Sequence, residues 1–332
     1  MNWLAYIDPE YIEQITIKRH GETRLGEQLS LITSPEDLSG SKAKYLLLGI
    51  PEDIGVRANG GRPGAADGWD AFLAHFCSLP LTVQIPLDAI AVLGYINCED
   101  LNQQSVLLDC RNQKDQKTFD QLISDLDRRV TAVIEPLIAS GFVPVVIGGG
   151  HNNAYGLLKA ARQAINQSMN CLNIDAHTDL RPDPYRHSGN GFHRALLDHD
   201  LKKYQIFGVH KHTLSSSIAN FIDQNEYVQY YTLDRWLDTS ISERNQAFKD
   251  WVAPVISDHF GLEIDFDVIA DMGSSAQSPI GLSIAEVRNA VRAIAGRDQM
   301  RYVHLCEGAP ELGLYSTQVV KTISALCLDL IV

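Results

Sequence analysis

The sequence predicts a three-layer α/β/α fold on a mostly parallel central sheet. Short apolar runs alternate with longer amphipathic stretches along the chain, the pattern of strands covered by helices on both faces. The chemically loaded residues stand at the carboxyl ends of the apolar runs, where open parallel sheets gather their ligands. No internal repeat or low-complexity linker interrupts the alternation. One domain over residues 41–332 is expected, with residues 1–40 as an N-terminal extension packed on it.

Strands are expected at 44–50 (KYLLLGI), 89–96, 142–149 (FVPVVIGG), 171–175, 203–210, 227–233, 261–269 (GLEIDFDVI) and 301–308 (RYVHLCEG). Helical stretches lie at 118–140, 153–166, 242–257 and 283–296. The last follows Ser283, three positions before Glu286, a capping box in which each side chain satisfies a backbone N–H of the other.

The bulk composition narrows the function. The net charge is −13 and no lysine- or arginine-rich run stands out, so neither nucleic acid nor an anionic membrane surface is an expected partner. No apolar run approaches the roughly 20 residues that cross a bilayer. Cys77, Cys98, Cys110, Cys171, Cys306 and Cys327 form no CxxC pair and no zinc-like spacing, which reads as reduced core thiols. The N-terminus has acidic residues and lacks the pattern of a signal peptide. A cytoplasmic location is expected.

Three clusters carry the chemistry. In VVIGGGHNNAYG, an apolar strand runs into three glycines and His151 before a helix; alone, this is equally an anion-binding loop or a plain turn. In NIDAHTDLRP, Asp175, His177 and Asp179 occupy every second position. On a strand they would share one face, and buried carboxylates persist only when paired or metal-bound. In GLEIDFDVIAD, Asp265 and Asp267 repeat the spacing, and aligned carboxylates repel unless a cation sits between them. Imidazole and carboxylate without cysteine suits manganese, iron, nickel or zinc. Two histidines and four aspartates are too acidic for one zinc and fit two divalent ions sharing carboxylates, the two-metal arrangement for hydrolysis.

With GGGH at 148–151, DAHTD at 175–179 and DFD at 265–267, in that order, the chain resembles the ureohydrolase family of arginase, agmatinase and formimidoylglutamase. GIPEDIGVRANGGRPGAADGWDAF (49–72) and HLCEGAP (304–310) are similar to further family segments. The resemblance implies an arginase-like fold and two divalent ions, manganese first among them. One would sit on His151, Asp175, Asp179 and Asp265, the other on Asp175, His177, Asp265 and Asp267. A shared, acidified water would attack a planar C=N carbon. Asp179 would pass the proton to the leaving nitrogen, and Glu307 would hold the amidine or guanidine N–H groups. His193, in HSGNGFH, would shuttle protons, although it stands one residue out of the family register. The resemblance also implies homo-oligomers.

For the substrate, the sequence departs from the arginase pattern. Glu263 stands where the family commonly has serine, and IADMGSSAQSP replaces the usual Asp-Pro. The loop GVRANGGRPGAADG and the DLR after the second motif resemble formimidoylglutamase instead. That enzyme's dicarboxylate substrate needs cations, and arginine pairs bidentately with carboxylates. Arg57, Arg62, Arg181 and Arg186 are the candidates, with Asn59 and Asn190 in the same loops. The expected reaction is hydrolysis of N-formimino-L-glutamate to L-glutamate and formamide, in histidine breakdown. The alternatives are a guanidino hydrolase releasing urea and a metal-binding relative without catalysis.

Overall fold

The computed structural model describes residues 3–315 and 317–331. Ten strands form one sheet: β1 (Leu4–Tyr6), β2 (Ser30–Leu31), β3 (Tyr45–Gly49), β4 (Ile90–Ile96), β5 (Val143–Ile147), β6 (Met169–Ile174), β7 (Leu201–Val209), β8 (Val228–Thr232), β9 (Phe260–Asp265) and β10 (Met300–Cys306). Their order is β1-β4-β3-β5-β10-β9-β6-β7-β8, with β2 also on β4. Among the described residues, only β1 runs antiparallel to its neighbour. The expected mostly parallel sheet is therefore present, and all eight expected strands occur in it.

Side-chain alternation in the strands builds a core on each face. Tyr45 and Leu47 of β3 point to one side and Leu46 and Leu48 to the other, all buried. Helices Gln113–Ala139 and Asn153–Ile165 cover the second side. Helices Gly68–Cys77, Ile241–Ile256, Ile284–Ile294 and Gln318–Ile331 cover the first. The capping box forms as expected: Glu286 N–H donates to Ser283 Oγ and Ser283 N–H to Glu286 Oε2. Five of the six cysteines are buried and all are free.

The first 40 residues contribute β1 and β2 to one edge of the sheet and bury Ile12, Leu25 and Ile32. No described helix is long and apolar enough to cross a membrane. Four central strands position the chemically loaded segments. β5, β10, β9 and β6 lie side by side, so the segments leaving their carboxyl ends meet at one place.

Candidate metal centre

The glycine turn after β5 aims His151 at that place. Gly148 and Gly149 have φ of +82° and +78°, a conformation that costs a side chain but not glycine. A Cβ on Gly149 would stand 2.5 Å from Asn153 Nδ2 and 2.9 Å from the Ile50 carbonyl oxygen. Two buried carboxylates hold the turn. Glu52 accepts from Gly150 N–H at 2.8 Å, Ile54 N–H at 2.7 Å and Asn153 Nδ2 at 2.6 Å. Glu307 accepts from His151 N–H at 3.0 Å and from Ser275 Oγ at 3.0 Å.

The expectation that each aspartate pair lies on one strand face needs correction. β6 ends at Ile174 and β9 at Asp265, so Asp175, His177, Asp179 and Asp267 all lie beyond the strands. Turn chemistry brings them round instead: Asp175 Oδ1 accepts from His177 N–H at 2.7 Å, and Asp265 Oδ1 from Asp267 N–H at 2.8 Å. These are Asx turns, in which an aspartate caps the backbone two residues on. Asp179 takes φ +50° and Glu307 φ +59°, strained values for non-glycine residues that cost about 1–3 kcal/mol each and concentrate at functional sites.

The six residues converge. His151 Nδ1 stands 2.9 Å from Asp179 Oδ2, 3.1 Å from Asp265 Oδ2 and 3.3 Å from Asp175 Oδ2. His177 Nδ1 stands 2.8 Å from Asp267 Oδ2 and 3.7 Å from Asp175 Oδ1. Asp175 thus touches both groups. All but His177 and Asp179 are buried.

The electrostatics are those of a cage built for cations. Burial, with Asp267 and Asp175 beside it, pushes the Asp265 carboxyl well above its usual range; burial and Asp175 raise that of Asp179. Burial also opposes charge on Asp175, yet hydrogen bonds from the two histidines hold its carboxyl below the ordinary value. His177 is pushed up to about 12, chiefly by Asp267. Glu307 is pushed up to about 7 by burial.

The donors fit divalent ions. His151 Nδ1 and Asp267 Oδ1 are buried with no hydrogen-bond partner, although carboxylates crowd the imidazole, and unsatisfied buried polar atoms otherwise cost free energy. One cation-sized group is His151, Asp175, Asp179 and Asp265; a second is Asp175, His177 and Asp267.

The remaining expected residues divide. Arg181 Nη1 donates to Asn59 Oδ1 at 2.6 Å, and Asn59 Nδ2 to Ser188 Oγ at 3.1 Å. Arg62 donates to the carbonyls of Ser274 and Ser275, beside the serine that holds Glu307. Arg57 pairs with Asp53 at 2.7 Å, and Asp53 accepts Gly64 N–H, which closes its own loop. Arg186, expected to meet substrate, is instead buried against Asp127 and donates to Asn190 Oδ1 and the Asn152 carbonyl. Asn190 is buried and spends its amide on Arg186 and the Tyr185 carbonyl, so it too serves the loop.

His193 packs on Phe221, with ring centroids 5.1 Å apart. Helix Gly191–Leu197 presents Phe192 to His151 instead, edge-on at 5.0 Å. Successive residues of a helix differ by about 100° around its axis, so Phe192 and His193 face different neighbours.

Sequence reasoning missed Glu52, Asn173 and His304. Asn173, Glu263 and His304 each interrupt the apolar pattern of a buried strand, and that interruption was the available signal.

The arginase family profile matches residues 43–332. The chain belongs to the arginase family. It is 31% identical over 298 residues to a formimidoylglutamase of Geobacillus thermodenitrificans, covering 86% of this chain and 84% of that one. A second, from a Geobacillus species, is 29% identical over 99% of this chain and 94% of its own length. In fold it resembles a Trypanosoma cruzi formiminoglutamase crystallised with Mn2+, with TM-score 0.74 at 20% identity over 93% and 98% of the two chains. It also resembles a Bacillus subtilis formimidoylglutamase, with TM-score 0.76 at 16% identity over 95% and 93%.

Proposed function

We propose that this chain hydrolyses N-formimino-L-glutamate to L-glutamate and formamide with two divalent ions, manganese first among them. The carrying observation is the convergence of Asp175, Asp179 and Asp265 on His151 Nδ1, with Asp267 and His177 alongside. His151, Asp175, Asp179 and Asp265 would hold one ion; Asp175, His177, Asp265 and Asp267 the other. Such ions lower the pKa of water and neutralise charge that develops on the substrate. The names of the similar proteins support the substrate. Residues 41–332 act here as the catalytic domain, and residues 1–40 as its packed extension.

The protein groups have separable tasks. Glu307, fixed by His151 N–H and Ser275 Oγ, orients the formimino nitrogens through charge-assisted hydrogen bonds. Asp179, next to His151 and strained in its backbone, carries a proton to the nitrogen that leaves with glutamate. Water adds to the formimino carbon, the bond from that carbon to the glutamate nitrogen breaks, and formamide departs. Arg181, exposed and steadied by Asn59, meets a substrate carboxylate. Arg62 holds the Ser274–Ser275 loop in place. No step falls to His193.

The test is turnover by the purified, manganese-loaded protein, with formamide and urea measured separately. Formiminoglutamate should yield formamide. Urea from arginine, agmatine or guanidinobutyrate, with no turnover of formiminoglutamate, would refute the assignment. Glu307→Gln should keep both ions and lower kcat/KM about 10- to 100-fold, the worth of a charged hydrogen bond.

A further inference from the structure

Glu263 is a buried carboxylate that the reaction above leaves without a task. It belongs to a polar row that crosses three adjacent strands. Asn173 of β6 pairs in register with Glu263 of β9, and Glu263 with His304 of β10. All three side chains are fully buried. Each lies close to its strand's carboxyl end, and side chains alternate with period two. The row therefore sits one pleat below the residues that leave the sheet for the metal centre.

The row is tightly tied. His304 Nδ1 lies 2.6 Å from Glu263 Oε2, Tyr302 Oη donates to Glu263 Oε1 at 2.8 Å, and His304 Nε2 lies 3.2 Å from the Gly148 carbonyl oxygen. At the other end, Asn173 Nδ2 donates to Asp175 Oδ2 and to Tyr204 Oη, both at 2.9 Å. Such a network leaves Glu263 no freedom to swing away.

One atom points back at it. His151 Nε2 is buried and has no hydrogen-bond partner; Glu263 Oε2 is 3.6 Å away. That gap exceeds a hydrogen bond by about 0.4–0.9 Å, within reach of a small tilt of the ring. The Cys306 sulfur also lies nearby. It is a weak acceptor, and it already lies 3.5 Å from the Ile264 carbonyl oxygen.

We infer that Glu263, clamped by Tyr302 and His304, is a positioning residue for the metal centre: it holds the proton of His151 on Nε2 and so frees Nδ1 to face the carboxylates. The choice of nitrogen is a real one. Three carboxylates surround Nδ1 and would otherwise draw the proton there, which closes the nitrogen to a cation. A metal-bound histidine is oriented by the group its other nitrogen meets, and a carboxylate is the strongest acceptor for that purpose. This inference rests on the metal assignment proposed above, but not on the substrate.

The test is calorimetric titration of metal-free protein with Mn2+, which reads ions rather than turnover. Glu263→Leu removes the acceptor and fills its place with an apolar side chain. One of the two ions should bind about 10- to 100-fold more weakly, and the other within about threefold of wild type. Equal weakening of both would mean general loosening and would overturn the inference, as would unchanged binding of both. If Glu263→Leu does not fold, Tyr302→Phe, which removes one tie on Glu263, should weaken the same single ion about 2- to 10-fold; unchanged affinity there would overturn it too. A wild-type chain that binds only one ion, weakened by Glu263→Leu, would refute the two-metal reading and leave this one standing.

Discussion

Asp127→Ala would strand the Arg186 guanidinium in the protein with no counter-ion. The two side chains are only 7% and 6% exposed, and three N···O contacts of 3.1–3.2 Å join them. Removing one partner of a buried pair costs about 3–5 kcal/mol, because the survivor keeps its desolvation penalty. Unfolding entropy is about 2.1 cal/mol/K per residue; over 332 residues that is about 0.7 kcal/mol/K, so the melting temperature should fall by about 4–7 °C. Arg186→Met should fall comparably, since Asp127, Asn190 Oδ1 and the Asn152 carbonyl all lose a donor. The double variant Asp127→Leu with Arg186→Met removes both charges and should lose less than the sum of the singles. Scanning calorimetry measures all three, alongside KM. A substrate role for Arg186 would give the opposite pattern: a raised KM and a melting temperature within about 1 °C of wild type. That pattern, or an unperturbed Asp127→Ala, would refute the structural role.

The glycine turn and the helix cap give two further expected outcomes. Gly149→Ala should lose bound metal as well as stability, because its Cβ would meet the Ile50 carbonyl oxygen at 2.9 Å at a φ of +78°. Gly141→Ala has φ +89° but open space, so it should pay only the backbone strain, about 1–2 kcal/mol, and keep its metal; metal analysis of the two proteins checks this. The Glu286 carboxyl is opposed by burial but held below its ordinary 4.5 by Ser283, Trp236 and Arg244. A lowered folded value adds stability above the unfolded pKa and loses it as pH falls through the folded one. Glu286→Ala should therefore cost about 1–2 kcal/mol at pH 7. Urea denaturation should show the gap to wild type closing below about pH 4; a gap that widens in acid would contradict the sign.

The fold was largely legible because a parallel sheet writes itself locally. Each buried strand is a short apolar run, and each covering helix a longer periodic one. β1 and β2 escaped for the same reason: three and two residues are too few to show a period. The ligand types were legible because a metal centre selects donors, and histidine and aspartate repeated after apolar runs have no packing explanation.

What the sequence alone determined, then, is the alternating α/β plan and the six side chains that are candidate donors. The tertiary structure decided how they meet. Asp175 to Asp179 and Asp267 leave their strands and return through Asx turns, which spacing by two imitates. Arg186 and Asn190 share a loop with plausible substrate contacts, yet Asp127, 59 positions away in sequence, claims the guanidinium. Glu263 comes to rest between Asn173 and His304 only because β9 lies between β6 and β10. Periodicity reports which face a residue takes along its own strand. Which strand lies beside it is settled by packing between segments far apart in the chain, and no local pattern records that.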